Sequence, residues 1–172
     1  QLRPGFRIEL EVVCTDTHLE LKSLMGQPVQ LELLTQLSRD KLRPFHGHVT
    51  GVTLLGSDGG FARYLLVIEP WLAFLGHRQD SWIFQDMTVI EIIEEVFSDY
   101  QGEGRLMPAF RWDLADPSVY PQRSLCAQYQ ETDLAFIHRL IRAEGLFYWW
   151  EHEGEDENGT HTLVIADHNG AI

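Results

Sequence analysis

The stretch from Gln128 to Tyr148 constrains the fold more than any other part of this 172-residue chain. Arg123 to Gln130 alternates as a strand, and Thr132 stands where a hydroxyl can cap a following helix. Asp133 falls in the first turn, near the positive end of the helix dipole. Leu134, Ile137, Leu140 and Ile141 form a stripe at helical spacing, and Gly145 suits the left-handed position after the last turn. Leu146 to Trp150 then reads as a very aromatic strand. It is expected to pair with Thr162 to Ala166 in a hairpin across the acidic loop Glu151 to Gly159, tipped by Asn158-Gly159.

The first half reads as β. Phe6, Ile8, Leu10 and Val12 alternate with Arg7, Glu9 and Glu11, and Val29, Leu31 and Leu33 alternate with Gln30 and Glu32. His48 to Leu55 alternates with less contrast, Gly56-Ser57-Asp58-Gly59-Gly60 is a turn, and Phe61 to Glu69 continues as a strand. Tyr64 to Ile68 is apolar on both faces and needs cover on each side. Ser38 to Lys41 reads as the tip of an earlier hairpin. Strands at these intervals point to a small barrel or sandwich.

A helix follows. Val89, Ile92, Ile93, Val96, Phe97 and Tyr100 share a stripe, Thr88 and Glu91 have capping-box spacing, and Gly102 and Gly104 end the run. Residues 101–122 read as a long packed connection, because Phe110, Trp112 and Tyr120 need burial. The fold class expected is α+β: a small β-barrel over residues 1–84, with an adjoining α/β part containing two helices over 85–172.

Charge narrows the partners. A formal net charge of −13 argues against sequence-independent nucleic-acid binding and against stable docking on anionic lipid. No apolar run reaches the roughly 18 residues of a membrane span, and no apolar segment follows Gln1-Leu2-Arg3-Pro4-Gly5 as in a signal peptide. The chain opens almost directly in structure, as a fragment of something longer would. Cys14 and Cys126 lack metal-type spacing and read as free thiols, made in a reducing compartment.

These segments, taken in order, resemble the VgrG spike proteins of type VI secretion, which share a hub fold with contractile phage tails. Phe45-His46-Gly47-His48-Val49 resembles a family strand, as does Tyr64 through Pro70-Trp71-Leu72. Ile83-Phe84-Gln85 with Thr88 to Ile93 resembles the lead into the family's first helix. The tract Gln128 to Tyr148 and the strand Leu163-Val164-Ile165-Ala166-Asp167 complete the likeness. Trp82 departs from it, since the family often has Arg there, so no ion pair is carried over. The family's downstream barrel and β-helical needle have no counterpart here, and its first strands also lack one.

The resemblance implies a phage tail hub-like barrel, a homotrimer in the intact protein, and docking on the hexameric Hcp tube. It implies a PAAR tip and effectors reached through regions not represented in this chain. Assembly would occur in the bacterial cytoplasm, followed by ejection through the contractile apparatus. A baseplate hub of a contractile phage tail is the nearest alternative.

Sites with bond-making chemistry fare poorly against packing. His46 and His48 share a strand face, which is metal-ligand spacing, but two ligands fall short of a site. His152 and His161 could meet across the last hairpin beside Glu151 and Glu153, with a surface loop as the plain reading and a weak cation site as the other. Glu131, Asp133 and Glu144 raise a cell-wall hydrolase reading, yet Asp133 is accounted for by the helix start and Glu144 by the last helical turn. No catalytic residue, cofactor or metal is expected. The interface candidates are Trp82, Tyr148, Trp149 and Trp150. On the aromatic strand Phe147 and Trp149 face one way and Tyr148 and Trp150 the other, one face core and the other either covered or a subunit contact. A carbohydrate-binding module using these rings is the alternative from another class.

Overall fold

The computed structural model describes residues 5–35, 38–102, 106, 108–153 and 160–171. In chain order the elements are β1 (Ile8–Cys14), α1 (Leu21–Leu24), β2 (Pro28–Thr35), β3 (Ser38–Asp58), β4 (Phe61–Glu69), a 3₁₀ turn (Trp71–Gly76), β5 (Gln79–Phe84) and α2 (Val89–Ser98). Then follow β6 (Phe110–Asp113), a 3₁₀ turn (Pro117–Val119), β7 (Cys126–Thr132), α3 (Asp133–Ala143), β8 (Phe147–Glu153), β9 (Thr160–Ala166) and a last 3₁₀ turn (Asn169–Ala171). Sheet and helix are mixed, in three sheets of order β1-β4-β3-β2, β5-β7 and β6-β9-β8.

The chain forms two compact units that interleave in sequence. One comprises Gly5–Trp71 with His152–His161, the other Leu72–Glu151 with the chain from Thr162 onward. Leu72–Glu151 belongs to the second unit, where β5 pairs with β7.

In the first unit the alternation of β1 appears directly, with Ile8, Leu10 and Val12 turned inward and the charged residues exposed. Gly59 and Gly60 both have positive φ, +60° and +89°, which fits the two-residue turn joining β3 to β4. The 21-residue β3 pairs with β2 up to His48 and with β4 from His48 on, with register shifts at Val49/Gly51 and Leu54/Gly56 where extra residues bend the strand. Ser38 to Lys41 is the start of β3 and not a hairpin tip, since Ser38 already lies opposite Thr35. Gly47 is required by packing: a Cβ there would lie 2.6 Å from Ile68 Cγ2 and 3.0 Å from the Glu69 carbonyl. Val49, Ala62, Tyr64, Ile68 and Trp71 are buried, and the Tyr64 hydroxyl donates to the Asp16 carbonyl at 3.1 Å.

In the second unit the local chemistry works as the residues dictate. Thr88 Oγ1 accepts from the Glu91 amide at 3.2 Å while Glu91 Oε2 accepts from the Thr88 amide at 2.7 Å, closing the capping box of α2. Thr132 caps α3 through the Ala135 amide at 3.2 Å. At the far end Gly145 takes φ +70°, its amide donating to Arg142 and that of Leu146 to Ile141, a Schellman ending. Val89, Ile92, Ile93 and Phe97 of α2 are buried, as are Phe136, Ile137, Leu140 and Ile141 of α3. Each such aliphatic or aromatic side chain contributes roughly 1.5–3 kcal/mol on leaving water. Phe136, outside the expected stripe, is fully buried and stacks on Phe84 at 5.6 Å between ring centroids, whereas Leu134 is half-buried.

Two further expectations differ from the structure. Residues 101–122 are not wholly irregular, because β6 pairs in parallel with β9, Phe110 opposite Leu163. Trp112 and Phe110 of that strand are held by Glu94, at 2.9 Å from the indole N–H, and by Phe97 respectively. Glu151 to Glu153 belong to β8, so the segment expected as a loop is shorter, and its proposed tip at Asn158-Gly159 lies outside the described residues, as does Gly104.

Candidate functional site

The β5–β7 ribbon separates two environments. On β7, Cys126 and Gln128 are buried and alternate with exposed Leu125, Ala127 and Tyr129. On β5, Phe84 is buried opposite Cys126, and Ile83 is exposed opposite Ala127. The outer face therefore carries Ile83, Leu125 and Tyr129, which are 59%, 58% and 72% exposed. Single exposed apolar residues need no explanation, but these three share one face of a two-stranded sheet as an exposed apolar patch.

Behind the ribbon lies a polar knot. Asp133, only 1% exposed, accepts from the Tyr100 hydroxyl at 2.5 Å and from Gln128 Nε2 at 2.7 Å. The Arg78 Nε lies 3.5 Å away, and the Arg78 guanidinium also reaches Asp80 and Asp99. Its pKa is raised, first by the hydrogen bond to Asp99. Burial, then the bond to Asp133, pushes the Tyr100 hydroxyl far up, so that it stays a donor. Asp133 does start its helix, but its side chain also ties α3 to the end of α2 and to β7.

The other carboxylates raised as hydrolytic candidates are held by cations. Glu131 pairs with Arg139 at 2.5 Å and Glu144 pairs with Arg123. Arg139 also lies over the Phe136 ring.

The interface candidates are placed on two different sheets. Trp82 projects from β5 and is 59% exposed. Tyr148, Trp149 and Trp150 are consecutive on β8 and half-buried. Tyr148 stacks on His138 with centroids 5.8 Å apart and its oxygen 2.9 Å from His138 Nε2. Burial pushes the Tyr148 hydroxyl up and the His138 imidazole down. Trp149 stacks loosely on Phe147 and donates to Glu151 at 3.3 Å, and Glu151 also holds Arg111 at 2.8 Å.

In the first unit the two histidine pairs expected separately, His46 with His48 and His152 with His161, form one cluster. His46 and His48 are buried, and His152 and His161 are not a surface loop: His161 is buried and His152 half-buried. His152 Nδ1 accepts from the His46 amide at 3.0 Å, and His161 Nε2 accepts from the Trp71 amide at 2.9 Å. The His152 and His161 rings stack at 6.4 Å, and His48 meets His161 edge-on at 5.4 Å. Burial, reinforced by neighbouring imidazoles, lowers His152 to about 4 and His161 to about 3. The signal for His161 was present in the sequence, since it alternates in phase with Leu163 and Ile165. Among the described residues no group of three or more His, Cys, Asp or Glu is arranged to hold a metal ion.

Comparison with known proteins gives this arrangement a family. The family described as phage tail baseplate hub (GPD) matches residues 1–172. The chain belongs to the phage tail baseplate hub family. It is 34% identical over 171 residues to the type VI secretion system spike protein VgrG1b of Pseudomonas aeruginosa, covering 99% of this chain and 21% of that protein. It is 38% identical over 162 residues to VgrG5 of the same organism, covering 94% of this chain and 19% of that one. The hub chain also matches the solved structure of the E. coli c3393 protein, described as a component of the type VI secretion system with structural similarity to the T4 bacteriophage tail proteins gp27 and gp5. That match has a TM-score of 0.79 at 25% identity and covers 95% of this chain and 42% of the other. The chain thus spans about a fifth of the length of the curated relatives.

Proposed function

We propose that this chain is the hub segment of a type VI secretion spike, with a structural role and no chemistry of its own. The observation that carries the reading is the likeness to spike proteins along nearly its whole length, together with the c3393 fold match. In this reading the four-stranded sheet contributes to a barrel, three copies of the intact protein form a ring, and that ring seats on the Hcp tube. Contraction then drives the assembly, with a PAAR tip and effectors carried elsewhere in the protein, from the cytoplasm into a target cell.

The exposed apolar face of Ile83, Leu125 and Tyr129 supports a subunit contact, since large rings and branched chains bury much area at little entropic cost. Trp82, Tyr148, Trp149 and Trp150 are proposed as further contact residues. The isolated 172 residues hold only part of such an interface and are expected to be monomeric when dilute. Multi-angle light scattering tests this on both lengths: the intact protein should have three times the protomer mass, and a monomeric intact protein would refute the reading. A hub from a contractile phage tail is the second reading, favoured by the family description itself. Sheath and membrane-complex genes beside the coding sequence, against capsid genes, would separate the two.

A further inference from the structure

Pairing between β3 and β4 begins at His48, opposite Glu69. The His46 amide on β3 and the Trp71 amide after β4 therefore lie past the last rung of that ladder. Each is answered by a side chain from the adjoining ends of β8 and β9. His152 Nδ1 accepts from the His46 N–H at 3.0 Å, and His161 Nε2 accepts from the Trp71 N–H at 2.9 Å. An imidazole accepts only through a nitrogen that carries no proton, and an imidazolium has none. Both fastenings therefore exist only while both rings are neutral.

The surroundings oppose the charged form. From β3, His46 stacks on His152 with centroids 6.3 Å apart, and His48 meets His161 at 5.4 Å. Phe6 lies edge-on to His152 and His161 at 5.0 and 6.0 Å, and Phe45 covers His152 at 5.4 Å. Arg43, seated over the Phe45 ring, acts on His152 as a further cation. Glu69, the carboxylate opposite His48, is taken up by Thr50 Oγ1 at 2.5 Å and by Arg7 at 3.7 Å. The charged or chargeable groups acting on the two rings are thus imidazoles and a guanidinium, in keeping with their lowered pKa values.

We propose that His152 and His161 form an acid-released latch, holding the adjoining ends of β8 and β9 on the four-stranded sheet near neutral pH and letting go, ahead of global unfolding, when protonated. The sign follows from linkage. A ring released into water binds a proton near the ordinary 6.5, whereas the docked ring does not, so the released state takes up more protons. Each pH unit below 6.5 then favours release roughly 10-fold per ring, as long as the docked rings stay neutral. The latch lies within the first unit and does not depend on the spike reading.

The test is hydrogen exchange followed by NMR on the isotope-labelled chain at pH 6.5 and pH 5, each rate divided by its intrinsic value at that pH. Protection of the His46 and Trp71 amides should fall by about 15-fold if the rings leave singly and by about 200-fold if they leave together. The protection left at pH 5 should not change with sub-denaturing urea, because local release exposes little surface. His152→Asn places Oδ1 where Nδ1 stands, and His161→Gln places Oε1 where Nε2 stands, so each still accepts without titrating. The double variant should lose the pH response of both amides. Unchanged protection between the two pH values, or exchange that quickens with urea as whole-chain unfolding would, overturns the proposal. So does a pH response that persists in the double variant.

Discussion

Replacing Asp133 by alanine removes the carboxylate that Tyr100 and Gln128 share. The Tyr100 hydroxyl and one Gln128 amide hydrogen lose their partner, while Gln128 keeps the Glu131 carbonyl at 3.1 Å. Hydrogen bonds to a charged group contribute about 1.5–3 kcal/mol each. The two bonds therefore set a ceiling of roughly 3–6 kcal/mol, lowered because the variant no longer dehydrates a carboxylate. We expect a net loss of about 3–4 kcal/mol, in line with breaking other buried charge pairs. For a chain of this size that corresponds to a fall in Tm of about 6–16 °C. Asp133→Asn should cost about half as much, since its carbonyl still accepts from Gln128 and its amide donates to the Tyr100 oxygen. Urea melts followed by circular dichroism would measure these values, with Tyr100→Phe and the double variant completing a cycle. A coupling of at least about 1 kcal/mol between Tyr100 and Asp133 is expected. A loss below about 1 kcal/mol for Asp133→Ala, or strictly additive single variants, would refute the reasoning.

Gly145→Val should lower Tm by about 2–8 °C, from a left-handed penalty of about 1–2 kcal/mol, whereas Gly145→Asn should be nearly silent because space is open there; an unchanged melt for valine would be the contrary result. Gly47→Ala should cost about 1–3 kcal/mol by driving a methyl onto Ile68 and the Glu69 carbonyl, with part recovered in an Ile68→Val background; full tolerance in chemical denaturation would count against the close approach. His152 and His161 titrate lower in the fold than the ordinary 6.5, about 4 and about 3, and His138 is lowered too. The unfolded chain therefore binds more protons below pH 6.5, so stability is full above that value and falls as pH drops toward 4 and then 3. His161→Gln should flatten the Tm slope between pH 6.5 and 4, and an unaltered slope would show that His161 does not contribute.

How far the residues disclosed the fold depended on the range of the interaction involved. Both long helices were legible because their ends are set within a few residues: Thr88 with Glu91, Thr132 with Ala135, Gly145 with Arg142. The β3–β4 turn was legible for the same reason, although of the expected Gly56 to Gly60 only Gly59-Gly60 turns and β3 runs on to Asp58. β6 was not, because four residues acquire strand character only by pairing with β9, some fifty positions later. The burial of Asp133 was hidden likewise, as its partners Tyr100 and Gln128 come from separate elements. Trp82 stands out in the sequence as a large exposed ring, but the carboxylates around it are gathered from β5, α2 and α3 by the fold alone.

The segment bearing His152 and His161 has a consequence for synthesis. The first unit takes its last pieces from beyond a stretch of about 80 residues, Leu72–Glu151. A ribosome adding roughly 5–20 residues per second needs about 4–16 s to traverse that stretch. During that interval the nascent β1–β4 sheet waits for His152 and His161, which later accept from the His46 and Trp71 amides, while the intervening helices have time to settle. Holding factors that shield emerging chains would find their opening there.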